Sequence, residues 1–204
     1  MVDFEGTPTS GVIEFGIARW EGGRVEEVFT DRCRPTGPVR WADSRTHGLR
    51  GTDLKDRRPF DNYFDEFLRR RRDGLFAAHH CSVEARLLRH HWPLVPEVPD
   101  PHRPGVGCHQ WGPFVDTLKV VRTTHPTLSS WDLQSVVEAF QLGEEIEALA
   151  GEMVPAGRRK WHCAPYDALA TALVLRVVLE SFPEWSEQEL LACSGFGASE
   201  LELF

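Results

Sequence analysis

No stretch of this 204-residue chain approaches the roughly 18 consecutive apolar residues of a membrane-spanning helix, so no membrane segment is expected. The first residues, Met-Val-Asp-Phe-Glu, lack a basic stretch leading into an apolar one. A signal peptide is therefore not expected, and a cytoplasmic protein is. No C-x-x-C pair exists. The five cysteines, Cys33, Cys81, Cys108, Cys163 and Cys193, are odd in number and scattered, which points to reduced thiols rather than a disulfide framework. Cys163 follows His162 directly and so admits a zinc site, but a small buried apolar residue is the favoured meaning of such a cysteine. Lysine is scarce, with only Lys55, Lys119 and Lys160, and no function follows from that. Positive charge as a whole is outweighed, 23 basic residues against 31 acidic, for a net charge of −8. This balance argues against a protein whose entire surface grips nucleic acid. A local basic track remains open, because bound divalent cations carry positive charge into a site. Internal repeats and low-complexity tracts are lacking, and the length suits one sizeable core rather than two full domains.

What is present begins as strands. Residues 1–5 are extended, residues 6–11 make a turn, and residues 11–20 resume a strand pattern. Glu21-Gly22-Gly23 is a hairpin turn into residues 25–33, so the first third predicts three strands opening an antiparallel sheet. The period then changes. Phe60, Phe64, Phe67 and Leu68 recur at helical spacing and predict a helix over 61–72. Its four arginines, Arg69 to Arg72, point in nearly all directions and are read as solvated surface. Gly74 stops that helix, and Leu75-Phe76-Ala77-Ala78 suits a buried strand. Ser82 is placed to cap a helix carrying Val83, Leu87 and Leu88 on one side. Residues 93–113, rich in Pro, Gly and His, read as a long functional or mobile loop. Order returns at Phe114 to Leu118. Helical patterns follow near 131–140 and from Pro165 to about Leu179, and Pro183 ends that region. Ser186-x-x-Glu189 is a capping-box signature for one further short helix. The alternation predicts an α/β fold, a mixed sheet with helices packed on it, over residues 1–182, followed by a C-terminal helix and tail over 183–204.

Three short segments carry chemistry. Asp3 and Glu5 are two apart on a strand, so alternation puts both on one face, with Cα atoms roughly 6–7 Å apart. Carboxylates that close repel unless cations lie between them, although acidic decoration of a solvent-facing strand has the same spelling. Second, Pro165 is favoured in a first helical turn. A helix starting near Ala164 or Pro165 leaves His162 in the preceding loop and Asp167 in the first turn, where the helix dipole favours an ionised carboxylate. A plain first-turn acid and a surface histidine are the bland alternative. Third, Glu84 opens the helix after the buried strand, where a glutamate is also good dipole chemistry without any metal. A basic cluster, Arg158-Arg159-Lys160, lies just before His162.

Taken together, these segments resemble the DEDDh family of 3′–5′ exonucleases, the group around the proofreading subunit of the bacterial replicative DNA polymerase. Asp3-Phe4-Glu5-Gly6-Thr7 matches its first motif, and Gly11-Val12-Ile13-Glu14-Phe15-Gly16 looks like the strand that follows. Thr46-His47-Gly48-Leu49 is similar to a turn common after the third strand. Asp116-Thr117-Leu118 with Val121-Arg122 resembles the D-T-L-x-x-A-R stretch. His162, four residues, then Asp167 matches the third motif, with Ala168, Ala170, Thr171 and Ala172 continuing its helix. The ordered set spans roughly residues 1–180. One departure stands in the second motif: A-H-N-x-x-F-D is usual, and here Ala78-His79-His80-Cys81-Ser82-Val83-Glu84 replaces Asn by His80, Phe by Val83 and the metal-binding Asp by Glu84.

The resemblance implies a ribonuclease H-like fold and two Mg²⁺ or Mn²⁺ ions held by Asp3, Glu5, Asp167 and Glu84. It implies His162 as general base, and Gly6, Thr7, His79 and His80 against the substrate. The implied activity is metal-dependent 3′–5′ hydrolysis of single-stranded nucleic acid from its 3′ end, with DNA placed ahead of RNA. A catalytically weakened nucleic-acid-binding or accessory protein on the same fold is the alternative, and a phosphodiesterase of short RNA or nucleotides is a third. Phe4, on the opposite face of its strand, belongs to the core. Trp111 in the long loop is read either as a base-stacking aromatic or as a core or surface residue. Glu200-Leu201-Glu202-Leu203-Phe204 resembles the Q-L-x-L-F peptides with which bacterial proteins bind the replication sliding clamp, with Glu200 in place of Gln. Packing of Leu201, Leu203 and Phe204 back onto the domain is the favoured alternative.

Overall fold

The structure is a computed structural model and describes residues 1–195, so the peptide Glu200 to Phe204 lies outside the described residues. Strands β1 (Val2–Thr7), β2 (Gly11–Glu21) and β3 (Arg24–Arg32) form an antiparallel sheet in that order. Gly22 and Gly23 both take positive φ, 59° and 86°, the backbone of a two-residue hairpin turn. Strand β2 is buried on both faces from Gly11 to Ala18, which makes it the strand that both layers of helices must cover. A parallel pair, β4 (Phe76–Ala78) and β7 (Phe114–Asp116), stands beside β1. The mixed α/β fold opening with three antiparallel strands, expected from the sequence, is present.

One face of the sheet is covered by α8 (Ala164–Ser181), which packs on β1, β2 and β3. Its residues from Ala164 to Leu175 are all buried, and small side chains at Ala164, Ala168, Ala170 and Ala172 let it lie close to the strands. Around it gather α5 (Thr117–Thr124), α6 (Leu133–Ala139), α7 (Gly143–Met153) and α9 (Glu187–Cys193), burying Val120, Val136, Ile146 and Leu190 in one core. Helix α9 opens with the capping box expected at Ser186 and Glu189. The opposite face holds an aromatic core under α3 (Phe64–Asp73) and α4 (Ser82–His91). There Phe4 packs against Phe60 and Phe67, and Phe60 stacks on Trp92 with ring centroids 4.5 Å apart. Two short helices, α1 (Trp41–His47) and α2 (Gly51–Leu54), follow β3. No helix among the described residues is long and apolar enough to cross a membrane.

One reading of the sequence is corrected here, and one left open is decided. The arginines of α3 are not all solvated: Arg71 is 2% exposed. Its Nε donates to the Trp111 carbonyl at 2.9 Å, and one terminal nitrogen donates to the carbonyls of Pro99 and Gly112 at 3.1 and 3.0 Å. Arg70 lies 4.8 Å over the Phe29 ring and pairs with Glu27 and Glu66. Four successive helical residues do point in all directions, and two of those directions face inward. Trp111, for its part, is not a stacking platform for bases. It is 2% exposed, and its indole N–H donates to the Trp92 carbonyl at 3.0 Å. The long loop is tied down by Arg71 and contains a short antiparallel pair, β5 (Val98–Pro99) with β6 (Gly107–Cys108). Cys33, Cys81 and Cys163 are buried thiols, and no cysteine among the described residues forms a disulfide.

Candidate active site

The register of β1 on β2 sets Asp3 opposite Gly16 and Glu5 opposite Glu14. After Glu5 the pairing shifts, so that Gly6 meets Val12 and Ile13 is the extra residue of a bulge. Helix α8 begins on this same face. A Cβ added at Gly16 would lie 2.2 Å from the Ala164 carbonyl oxygen and 2.5 Å from the Pro165 Cα. Glycine at 16 therefore lets the helix rest its first turn directly on the strand, which carries Asp167 to Asp3. Gly16→Ala has backbone in its way and is expected to cost about 1–3 kcal/mol of stability. Thermal unfolding checks this, and an alanine variant that melts like the wild type would contradict the seating of α8.

One carboxylate oxygen from each of Asp3, Glu5 and Asp167 lies within 4.8 Å of the others. Oδ2 of Asp167 accepts the His162 backbone N–H at 3.1 Å, while its Oδ1 has no partner. Glu84, 4% exposed in the first turn of α4, stands outside this trio but close enough to feel the charge of Asp3, and its Oε2 has no partner among the described residues. Crowding of like charge under poor solvation shows in the protonation equilibria. Burial, then Glu14, pushes Asp3 up to about 7. Burial, then the charges of Asp3 and Asp167, pushes Glu5 to about 10. Asp167 rises to about 8 through burial and Asp3, against the pull of the His162 N–H and Arg158. Glu84 is held well above the carboxylate range by burial first and Asp3 second.

Glu14 is the fifth acid of the region and is compensated differently. It is 1% exposed and accepts from Arg158 Nε at 2.6 Å, from a second guanidinium nitrogen at 2.5 Å and from the Ala164 N–H at 3.0 Å. Arg158 also donates to the His47 carbonyl at 2.9 Å. This buried network ties β2 to the loop that carries His162 and to the end of α1. Sequence reasoning missed it: Glu14 and Arg158 are 144 residues apart, and the only signals were an acid inside an apolar strand and a basic cluster before His162. The cation that answers Glu14 is thus in the protein, whereas the four carboxylates at 3, 5, 84 and 167 are in no ion pair among the described residues.

The other residues singled out in the sequence are placed as follows. His162 is exposed in the loop before α8 with φ of +59°, a left-handed conformation uncommon for a non-glycine residue. Gly6 takes φ of +142°, and a Cβ there would stand 2.2 Å from the Gly11 carbonyl oxygen, so a close neighbour of Gly6 is the adjacent strand. Thr7 closes the turn with Ser10, whose N–H donates to Oγ1 of Thr7 at 3.2 Å. His79 uses both ring nitrogens internally, Nε2 against the Trp131 carbonyl at 2.8 Å and Nδ1 against the Thr117 hydroxyl at 3.0 Å. His80 is exposed with φ of +66°, and its N–H donates to Asp116 at 3.1 Å. The same Asp116 oxygen accepts the Leu118 N–H at 3.2 Å, so Asp116 pins the turn that leads into α4 and Glu84.

The donor set fits hard divalent cations: oxygen ligands, crowded negative charge, and two buried carboxylate oxygens with no protein partner. No family model matches the sequence, and no curated protein matches it. Solved structures do. Exonuclease X in complex with 5′ overhanging duplex DNA superposes with a TM-score of 0.69 at 18% identity, over 95% of this chain and 98% of that one. A full-length 3′-exonuclease gives 0.62 at 13% identity, over 89% of this chain and 60% of that one. E. coli Exonuclease I in complex with a dT13 oligonucleotide gives 0.58 at 13% identity, over 90% and 41%. The chain has the ribonuclease H-like mixed fold of these exonucleases.

Proposed function

We propose that the protein is a metal-dependent 3′–5′ exonuclease of the DEDDh type, removing nucleotides from the 3′ end of single-stranded nucleic acid, DNA ahead of RNA. The observation that carries this reading is the convergence of Asp3, Glu5 and Asp167 beside Glu84, a crowd of carboxyls in no ion pair among the described residues and only partly offset by the charge of Arg158. Two neighbours on the same fold are complexes with DNA, one with a 5′ overhanging duplex and one with a dT13 oligonucleotide, which supports DNA as the substrate class. Mg²⁺ or Mn²⁺ held by Asp3, Glu5, Glu84 and Asp167 would neutralise charge developing on the scissile phosphate and lower the pKa of a bound water.

The protein's own groups do the rest. His162, exposed beside Asp167, receives the proton of the attacking water on a ring nitrogen as general base. Asp167 holds that loop in place through the His162 N–H while its free oxygen stays available. Gly6, Thr7 and His80 line the approach for the terminal nucleotide, and His79 supports the turn from behind. The buried Glu14–Arg158 pair keeps the His162 loop against the sheet.

Single-stranded DNA and RNA labelled at the 3′ or the 5′ end, incubated with Mg²⁺, Mn²⁺ or EDTA, test the reading. Metal-dependent shortening from the 3′ end, absent in an Asp3→Ala/Glu5→Ala variant, is the expected result. The position of Glu84 outside the oxygen trio favours the second reading, a weakened accessory protein. Intact strands under every condition, from folded protein that still binds them, would select it.

A further inference from the structure

Residues 34–58 carry seven arginines and lysines against three aspartates, a local charge of +4 in a chain whose net charge is −8. None of these seven cations is in an ion pair among the described residues. Two of them, Arg45 and Arg50, line an open cleft of about 700 Å³ together with Trp41 and Gly48. Trp41 is 73% exposed, and the Arg45 guanidinium lies 4.9 Å over its ring. An indole left that open contributes little to folding, and one of its faces remains free for another planar group.

The cleft adjoins the candidate active site on its His162 side. Gly48 ends α1 with φ of +74°, and a Cβ there would lie 3.6 Å from Lys160 Nζ, so Lys160, two residues before His162, reaches the same rim. His47, the last residue of α1, grips Arg158, four residues before His162, through its carbonyl. At 1.5 Å rise per residue, Trp41 and His47 are about 9 Å apart along α1.

Resting on the exonuclease reading above, we propose that this cleft is the track for the single strand upstream of the terminal nucleotide. A base stacks on the free face of Trp41, while Arg45, Arg50 and Lys160 take the flanking phosphates. An exposed aromatic interleaved with unpaired cations is the arrangement that binds strands without regard to sequence. An unpaired base is required, because a duplex keeps its base faces stacked internally. The track also gives a protein of net charge −8 a local basic surface for a polyanion, with Arg45, Arg50 and Lys160 beside the candidate site.

The test is fluorescence anisotropy of labelled dT15 and rU15 in EDTA, where binding is read without cleavage, with a blunt duplex as a third arm. Trp41→Ala is expected to weaken binding of a single strand about tenfold, within the range that loss of a stacking aromatic produces. Arg45→Ala/Arg50→Ala should flatten the slope of log affinity against log salt by about 1.4, two phosphates at roughly 0.7 each. Melting temperatures of all variants are read in parallel to confirm that they fold. The dT15 and rU15 arms show which sugar the track prefers. Unchanged affinity and salt slope in both variants, no binding by the wild type, or duplex bound as tightly as single strand would each overturn the track. Cleavage of dT15 by the wild type in Mg²⁺ decides the exonuclease reading separately. Lost binding in the variants with no cleavage by the wild type would leave the track standing and remove that reading.

Discussion

Arg158→Met is expected to destabilise the protein by about 3–5 kcal/mol, the cost of leaving a buried carboxylate without its cation. At roughly 2–4 °C for each kcal/mol in a chain of this size, the melting temperature should fall by about 6–20 °C. Glu14 lies on the strand that both helical layers cover, at 1% exposure, and two of its three hydrogen bonds come from Arg158. Removing the guanidinium leaves a charge that neither water nor another cation can reach. The companion variant removes that charge. In Glu14→Gln/Arg158→Met no unpaired ion remains, so most of the stability should return, and the double-variant cycle should be strongly non-additive. Additive losses would show that the pair does not act as a unit. The same change bears on the site, because Arg158 pulls the Glu5 and Asp167 carboxyls down.

Asp3→Asn should have the opposite effect on stability and a complete effect on chemistry. In the wild type without metal, Asp3, Asp167 and Glu5 have folded-state values of about 7, 8 and 10. An unfolded carboxyl titrates near roughly 4. Between those limits the folded protein holds protons that the unfolded chain has released, so stability falls as pH rises. The stabilising contribution of these groups is full below about pH 4 and is lost progressively as pH rises through the folded values. The metal-free protein is therefore expected to melt lower at pH 8 than at pH 5. Mg²⁺ or Mn²⁺ at pH 8 should recover it: ligand at a hundred times its Kd adds about 2.7 kcal/mol, or roughly 5–10 °C. Asparagine at 3 removes the charge that lifts Glu5, Asp167 and Glu84. The variant should melt several degrees higher than wild type at pH 8 without metal, show a shallower pH slope because burial alone still lifts the remaining carboxyls, gain little from the cation and cleave nothing. A variant that melts like the wild type in every condition would contradict the crowding of charge.

Local signals carried much of this into the sequence. Period-two alternation on a strand places Asp3 and Glu5 on one face without any knowledge of partners, and Pro165 in a first turn fixes where α8 starts and hence where Asp167 points. The capping box at Ser186 and Glu189 is equally local. Illegible features depend on distant partners. The Glu14–Arg158 pair joins residues 144 apart, and Arg71 is buried by carbonyls of a loop that sequence alone leaves structureless. Gly16 spells like any strand glycine until α8 rests on it. Helix α7 went unread although Ile146, Leu149, Ala150 and Met153, the first and third fully buried and the others packed beside them, recur at helical spacing. Helix α1 hid because its buried residue is a histidine, and its one large apolar side chain, Trp41, faces solvent.

The claim on which the account turns is that the carboxylates at 3, 5, 84 and 167 exist to hold cations. Titration of metal-free protein with Mn²⁺ at pH 8, followed by calorimetry or by the electron paramagnetic resonance signal of free Mn²⁺, tests it without any substrate. Saturable uptake of two ions per chain is predicted for the wild type, with uptake abolished by Asp3→Asn and proton release accompanying binding. A wild-type protein that binds no Mn²⁺ under these conditions, while folded, would contradict the account.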